Sequence, residues 1–265
     1  MNNASEVIKA GQRVVAFTGA GISEESGIPT FRGTGGLWER YPPAFFANIP
    51  GLFMSFLLRP KRLKNFIIDI IETFTSAQPN AGHYALAEME KKGALQAIIT
   101  QNIDRLHENA GSRNVIKLHG DLYRMRCMRC GKTSEMDMSM LQRILETLKL
   151  SRGGRLRLLR FFRKDFPRCE CGGMRRPDVV FFGEGLPRDA WMDAVLYARS
   201  CDVMLVIGTS AVVYPAAGII PIARSAGAKI IEINPEETQL TGAVDYFLKG
   251  KAGDVLPALI KDRYP

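Results

Sequence analysis

The chain has 265 residues, 46% of them hydrophobic and 24% charged, enough for one large α/β domain or for one domain carrying a small appended module. Its net charge of +9 favours acidic partners but says little about chemistry. No apolar stretch reaches the ~18 residues of a membrane span, and Met1 to Gln12 lacks the basic start and apolar centre of a secretory signal; a cytoplasmic location is expected, and the five cysteines call for metal, packing or catalysis before disulfides.

In chain order, Ser5–Ala10 reads as a short helix, and Arg13-Val14-Val15-Ala16-Phe17 as a buried strand ending in Thr18-Gly19. Gly19-Ala20-Gly21-Ile22-Ser23 follows. Glycines there let the backbone approach a phosphate, and the next N–H groups can donate to it. The third glycine of a dinucleotide fingerprint would fall at position 24, where Glu24 stands, and the segment runs on through Pro29, Phe31 and Arg32 instead of settling into a helix. Residues 34–78 pass through aromatic and proline-rich sequence into an apolar, helix-like stretch, Phe53–Phe74. Pro79-Asn80 precedes a helix over Ala81–Lys92.

Strand Ala97–Thr100 hands over to Gln101-Asn102-Ile103-Asp104, whose amides and carboxylate suit a ribose and a carboxamide. Strand Asn114–Leu118 ends at His119-Gly120. An imidazole there suits general-base work at neutral pH; His107 and His83 are the competing candidates, with capping or packing the plainer role for His83. After the cysteine-bearing stretch come strand Val179–Phe182, helix Asp189–Ser200, strand Val203–Gly208 running into Thr209-Ser210, helix Pro215–Ala226, strand Lys229–Ile233 ending in Asn234, and helix Val255–Lys261. Near-continuous apolar strands separated by helices predict an α/β fold, a parallel sheet covered on both faces. Ligands in such folds bind beyond the carboxyl ends of the strands.

Cys127-Met128-Arg129-Cys130 and, after 38 residues, Cys169-Glu170-Cys171 with Gly172-Gly173 form two close thiol pairs. Four thiolates suit a closed, tetrahedral, structural zinc site; a redox C-x-x-C beside an unrelated pair is the alternative. Cys201, ahead of an apolar strand, reads as a core residue. Between the pairs, residues 151–168 carry Arg152, Arg155, Arg157, Arg160, Arg163, Lys164 and Arg168 against Asp165, with leucines and phenylalanines interleaved. This is either a surface for nucleic acid, acidic lipid or another acidic partner, or a solvated helix packing its leucines inward.

Taken together, Gly19-Ala20-Gly21-Ile22-Ser23, Ser26-Gly27-Ile28-Pro29, Phe31-Arg32-Gly33, Thr100 to Asp104, His119-Gly120, the cysteine pairs, Val180-Phe181-Phe182-Gly183-Glu184, Gly208-Thr209-Ser210 with Val213-Tyr214-Pro215, and Lys251-Ala252-Gly253 resemble the sirtuin family of NAD-dependent protein-lysine deacylases. The resemblance implies a Rossmann-like, doubly wound parallel sheet over 1–33, 79–120 and 179–265, a cofactor loop and helical module over 34–78, and a zinc-ribbon module over 121–178. It implies NAD as co-substrate, contacted by Gly19, Ala20, Gly21, Ile22, Ser23, Phe31, Arg32, Gln101, Asn102, Ile103, Asp104, Gly208, Thr209, Ser210, Asn234 and Ala252, and one structural zinc on Cys127, Cys130, Cys169 and Cys171. In that scheme the adenosine ribose falls to Asn234, the acyl oxygen of an acyl-lysine attacks the ribose carbon as nicotinamide leaves, and His119, with Asn102 beside it, serves catalysis as the base. The products are lysine and O-acyl-ADP-ribose. The peptide is expected to pair by backbone near Val180, Phe182, Gly183, Glu184 and Val213. Members that remove acidic acyl groups carry Tyr-x-x-Arg where this chain has Ile67 and Ile70, so uncharged acyl groups are expected over succinyl. A silent NAD-responsive binding module and a mono-ADP-ribosyl transferase are the alternative functions.

Overall fold

Runs such as Val14–Thr18 and Val203–Ile207 leave no polar face to show to water, which suits strands buried on both sides. The computed structural model describes residues 2–31, 35–151 and 154–261. Its strands are β1 (Val14–Thr18), β2 (Leu95–Thr100), β3 (Val115–Lys117), β4 (Gly120–Cys127), β5 (Thr133–Glu135), β6 (Arg175–Val179), β7 (Val203–Ile207), β8 (Lys229–Asn234) and β9 (Tyr246–Lys249). The chain divides into two compact units: one takes residues up to Thr30, Gln78–His119 and Leu186 onward, the other Phe31–Ala77 and Gly120–Gly185.

The first unit holds a six-stranded sheet in the order β3-β2-β1-β7-β8-β9 with every pairing parallel. Alternate side chains feed two cores. Val14, Ala16, Leu205, Ile207, Ile231 and Ile233 pack under Ala81–Lys91, Ala252–Lys261 and the N-terminal helix Asn2–Ala10. Val15, Phe17, Met204, Val206 and Ile230 pack under Arg188–Ser200 and Ile219–Ser225. This period of two is why each apolar run carries both faces at once. The sheet is the doubly wound Rossmann arrangement expected from the sequence, and its order reverses between β1 and β7.

The second unit holds the antiparallel sheet β5-β4-β6 and a set of helices. The apolar stretch after residue 49 is two helices, Ile49–Leu58 and Pro60–Ser76. Pro60 has no N–H to continue the first helix, and Arg59 before it leaves the helical region at φ −135°, ψ 49°. Between the cysteine pairs lie helices Met138–Leu150 and Arg155–Arg160, the latter followed by a wider turn over Phe161–Asp165. Leu158 and Phe161 pack with Ile71, Met125, Leu141, Ile144 and Leu148, while Arg155, Arg157, Arg160, Arg163 and Lys164 are exposed. The leucine-inward reading of this insert holds for Leu158 alone, since Leu156 and Leu159 are exposed, and Arg152 lies outside the described residues.

Three expectations change. The strand over Val179–Phe182 is instead β6, which ends at Val179 and runs antiparallel to β4. Residues 181–184 turn, with Glu184 N–H donating to the Phe181 carbonyl at 3.0 Å and Gly183 at φ 90°. β9, partly exposed, is an additional edge strand. The segment after Gly19 does settle into a helix, a 3-10 helix over Ala20–Ser26 that Gly27 stops at φ 86°. Among the described residues no helix is long and apolar enough to cross a membrane.

Candidate active site

Parallel pairing places Thr18, Thr100, Ile207 and Ile233 in one row, so the segments that leave β1, β2, β7 and β8 share one edge of the sheet. At the reversal the two loops interlock. A Cβ on Gly21 would sit 2.7 Å from the Gly208 Cα, and one on Gly19 2.7 Å from the Thr209 Cβ. Gly208 itself has φ 59°. The Gly-x-Gly signal thus serves first to bring two backbones together at the switch point, where the Gly19 N–H donates to the Ile207 carbonyl at 3.0 Å, the Gly21 N–H to the Gly208 carbonyl at 2.8 Å and the Gly208 N–H to the Ile233 carbonyl at 3.0 Å. Ala20 and Gly21 are partly exposed and Ile22 is buried.

The polar residues after β2 fold back on this loop. Asn102 Nδ2 donates to the Gly19 carbonyl and to Ser23 Oγ, both at 3.1 Å, and Ser23 Oγ donates to Asp104 Oδ2 at 3.0 Å. Asn102, Ser23 and Asp104 are all buried. Burial pushes the Asp104 carboxyl above its ordinary value, while the Leu106 N–H and the Ser23 hydroxyl pull it down. Lys117 Nζ donates to the Asp104 carbonyl at 2.7 Å. Gln101 Nε2 donates to Thr209 Oγ1 at 2.9 Å, tying β2's exit to β7's. Ile103 is partly exposed, Ser210 exposed, and Ala252 opens the helix Ala252–Lys261 as a buried residue.

His119 Nδ1 lies 2.9 Å from the Gln101 carbonyl. A carbonyl only accepts, so Nδ1 carries the hydrogen and Nε2 keeps its lone pair. Burial lowers the pKa of this imidazole, and the hydrogen bond to Gln101 opposes that in part. The competing histidines are fully enclosed. His83 caps its own helix by accepting the Asn80 N–H, and His107 Nε2 meets Thr18 Oγ1 at 3.0 Å. Their rings meet edge to face at 4.9 Å, and burial drives His83 down to about 4 and His107 further below its ordinary value. That environment suits packing.

At the end of β8, Asn234 Nδ2 donates to the Thr209 carbonyl at 3.2 Å and to Glu232 Oε1 at 2.9 Å. Sequence reasoning singled out Asn234 and missed Glu232, whose i, i+2 spacing within one strand is the signal that puts both side chains on the same face.

In the second unit the four cysteine sulfurs lie within 4.8 Å of one another, with Cys127–Cys171 and Cys130–Cys169 at 3.6 Å and Cys130–Cys171 at 3.5 Å. A tetrahedral zinc with bonds of ~2.3 Å holds its sulfurs about 3.8 Å apart, so the set fits such an ion closely. The Cys171 N–H pulls the Cys169 thiol down to about 6, while, against the pull of the Lys132 N–H, hydrogen bonds with Cys171, Cys127 and Cys169 push the Cys130 thiol up to about 11, so the four sulfurs share their protons as one cluster. Cys201 is buried, its thiol donates to the Ala198 carbonyl, and burial pushes it up to about 11, as a core residue requires.

Also in this unit, Phe31 stacks on Trp38 at 5.3 Å, and Trp38 meets Phe182 at 6.1 Å. Trp38 was not singled out from the sequence; a lone tryptophan after Gly35-Gly36 is its signal. Val180 is partly exposed. The Glu184 carboxylate accepts from Arg176 at 2.7 and 2.9 Å and from the Phe181 N–H, so its side chain shapes the 181–184 turn. Val213, partly exposed, belongs to the first unit, and Arg32 and Gly33 lie outside the described residues.

A glycine-lined switch point in the β3-β2-β1-β7-β8-β9 sheet, carried on the same chain as a four-thiol metal centre, defines a nucleotide-binding α/β protein with a structural metal. Comparison with known proteins makes this specific. The sequence profile described as "Sir2 family" matches residues 19–215. The chain is 44% identical over 260 residues to the NAD-dependent protein deacylase 2 of Pyrobaculum aerophilum, covering 98% of this chain and 94% of that one. It is 43% identical to the NAD-dependent protein deacylase of Pyrococcus abyssi, covering 97% and 96%. Among solved structures, a Sir2 homolog–NAD complex superposes with a TM-score of 0.81 at 42% identity, covering 99% and 93%, and a Sir2–p53 peptide–NAD+ complex with 0.78 at 32%, covering 99% and 98%. The chain belongs to the Sir2 family, the sirtuins.

Proposed function

We propose that this chain is an NAD-dependent protein-lysine deacylase that transfers the acyl group of an acyl-lysine to ADP-ribose and releases nicotinamide. The reading is supported by family membership and by one observation above all: His119 is fixed through Nδ1 on the Gln101 carbonyl with Nε2 left as a base. NAD supplies an electrophilic ribose carbon once nicotinamide departs. Asn102 and Asp104 orient the nicotinamide end, held rigid by their bonds through Ser23, and Gln101 meets the ribose. His119 Nε2 takes the proton of a ribose hydroxyl. Gly19 to Ser23 with Gly208, Thr209 and Ser210 receive the phosphates, Asn234 the adenosine ribose, and Ala252 the neighbouring edge. Phe31, Trp38 and Phe182 form an aromatic cluster within the second unit, of the kind that excludes water from a reaction, and the family resemblance assigns Val180, Gly183 and Val213 to the peptide.

The same reading assigns uncharged acyl groups. The helix Pro60–Ser76 presents Ile67 and Ile70 where an acid-selective member carries its tyrosine and arginine, and the carboxylate between them, Asp69, is bound by Arg40 and Tyr41. The test is nicotinamide release from NAD with acetyl-lysine and succinyl-lysine versions of one peptide. Peptide-dependent release that is at least tenfold faster for acetyl is expected; faster desuccinylation overturns the acyl assignment, and no release with any acyl peptide overturns the enzyme. Five free cysteines, none disulfide-bonded, support a reducing, cytoplasmic setting. Nucleic acid as a further partner rests on the exposed arginines of 155–163 and Lys164.

A further inference from the structure

Glu232 is fully buried on β8, and the reaction as described makes no use of it. Its carboxylate collects three donors. Oε1 accepts from Asn234 Nδ2 at 2.9 Å and from Thr238 Oγ1 at 2.6 Å, and Oε2 accepts from Thr241 Oγ1 at 2.7 Å. Neither threonine proton has an alternative direction, because each hydroxyl oxygen already accepts a backbone N–H: Leu240 N on Thr238 Oγ1 at 3.1 Å, and Thr238 N on Thr241 Oγ1 at 2.9 Å. These three partners are a neutral amide and two hydroxyls, and both carboxylate oxygens are taken up as acceptors beside Asn234.

The consequence falls on Asn234. Its two amide hydrogens point at two groups that accept, the Glu232 carboxylate and the Thr209 carbonyl. The amide is therefore locked in one orientation, and Oδ1 is what it has left to offer. We propose that Glu232 is a positioning residue that makes Asn234 an acceptor-only ligand, so that the site takes a dinucleotide with a free adenosine-ribose hydroxyl and refuses one phosphorylated there. The inference rests on the reading that Asn234 meets that ribose. A hydroxyl donates to the amide oxygen; a phosphate offers acceptors and negative charge to an acceptor backed by a carboxylate. Lys249, the register partner of Asn234 on β9, is exposed. Charge on an exposed side chain is screened by solvent more than that on a buried one.

The experiment compares Glu232→Gln, Thr241→Val and Asn234→Ala by steady-state deacylation with NAD and with NADP, alongside thermal melting. The wild type is expected to prefer NAD strongly. In Glu232→Gln the side chain keeps its volume but offers one acceptor, so Asn234 can turn. Its KM for NAD should rise roughly tenfold, the scale of one lost hydrogen bond. The kcat at saturating NAD should stay within about twofold by the same argument, because uniform binding alone is lost. The NAD-to-NADP ratio of kcat/KM should narrow. Thr241→Val should move KM the same way by less, and serves if the glutamine variant does not fold. If Asn234→Ala raises KM while both other variants leave KM and the ratio untouched, the role of Glu232 is overturned and the ribose assignment stands. If Asn234→Ala leaves KM for NAD unchanged, the ribose assignment and this inference fall together. A parallel loss of kcat and melting temperature with an unchanged nucleotide ratio marks Glu232 as merely structural and overturns the inference.

Discussion

The residue on which the chemistry turns is His119, and its environment fixes how activity depends on pH. Burial disfavours the imidazolium, so its pKa lies below the ordinary 6.5 despite the opposing bond to Gln101. The base form is present above that pKa and is lost as pH falls through it. The kcat/KM for deacylation should therefore stay flat from about pH 8 down to about 6.5 and fall only below; a midpoint above 6.5 would contradict this placement of the ring. His119→Ala should remove the acid limb together with about 10³-fold or more of kcat, while NAD binding, measured by calorimetry, changes little. Much at this scale was legible. An apolar strand that ends in a histidine and a glycine places that ring at the carboxyl edge of the sheet, and Gly120 is glycine because it sits at φ 81° where a Cβ would collide with the Asp178 carbonyl. Glu232 was not legible as a partner of Asn234. A glutamate inside an apolar strand looks like an exception until its two threonines, six and nine positions on, are seen to fold back over it.

At the scale of elements, sequence succeeds where a pattern is saturated and fails where two forces compete. The central strands were evident because burial on both faces requires unbroken apolar runs. The strand ending at Val179 was overextended because Val180-Phe181-Phe182 continues the apolar run, whereas the chain needs those residues in a turn that Arg176 and Glu184 brace. β9 escaped notice because an edge strand with partly exposed residues carries a weak signal. The cysteine hairpins are the opposite case: two close thiol pairs pointed to the site from the sequence, with a redox pair as the alternative, and the four sulfurs come together within 4.8 Å of one another. Their loops have little apolar core of their own; Gly172 and Gly173 turn tightly, and a Cβ on Gly173 would press within 2.7 Å of the Cys127 sulfur. The metal is therefore expected to hold β4 and β6 in register at this end. Cys130→Ser should lower bound zinc from one equivalent toward zero and reduce stability by roughly 3 kcal/mol, which is about 10 °C in Tm for a chain of this size. Elemental analysis and a melting curve check it; full zinc retention or an unmoved Tm would show that these thiols do not form a closed structural site.

For the molecule as a whole, charge is distributed unevenly in a way the overall +9 conceals. The second unit carries 21 Lys and Arg against 11 Asp and Glu, a net of +10, and the remainder carries 15 against 16, a net of −1. The nucleotide-binding unit is thus nearly neutral, and the basic field comes from the unit that holds the metal centre and the insert. Leu158 and Phe161 go into the core, and Arg155, Arg157, Arg160, Arg163 and Lys164 lie on the outside together with Leu156 and Leu159. An anionic polymer gains from such a surface chiefly by releasing its counterions, so affinity should fall steeply with salt. Changing those five residues to glutamate should weaken duplex DNA binding and lower the log–log salt slope by about 4, close to 0.9 for each phosphate no longer neutralised. Deacylation of a short uncharged peptide should be unaffected, since none of the five belongs to the catalytic constellation. Filter binding over a salt series together with peptide turnover separates the two effects. Equal DNA affinity in the wild type and the reversed variant would mean that the basic face is only a solvated surface, and that the charge of this unit has no polyanion to meet.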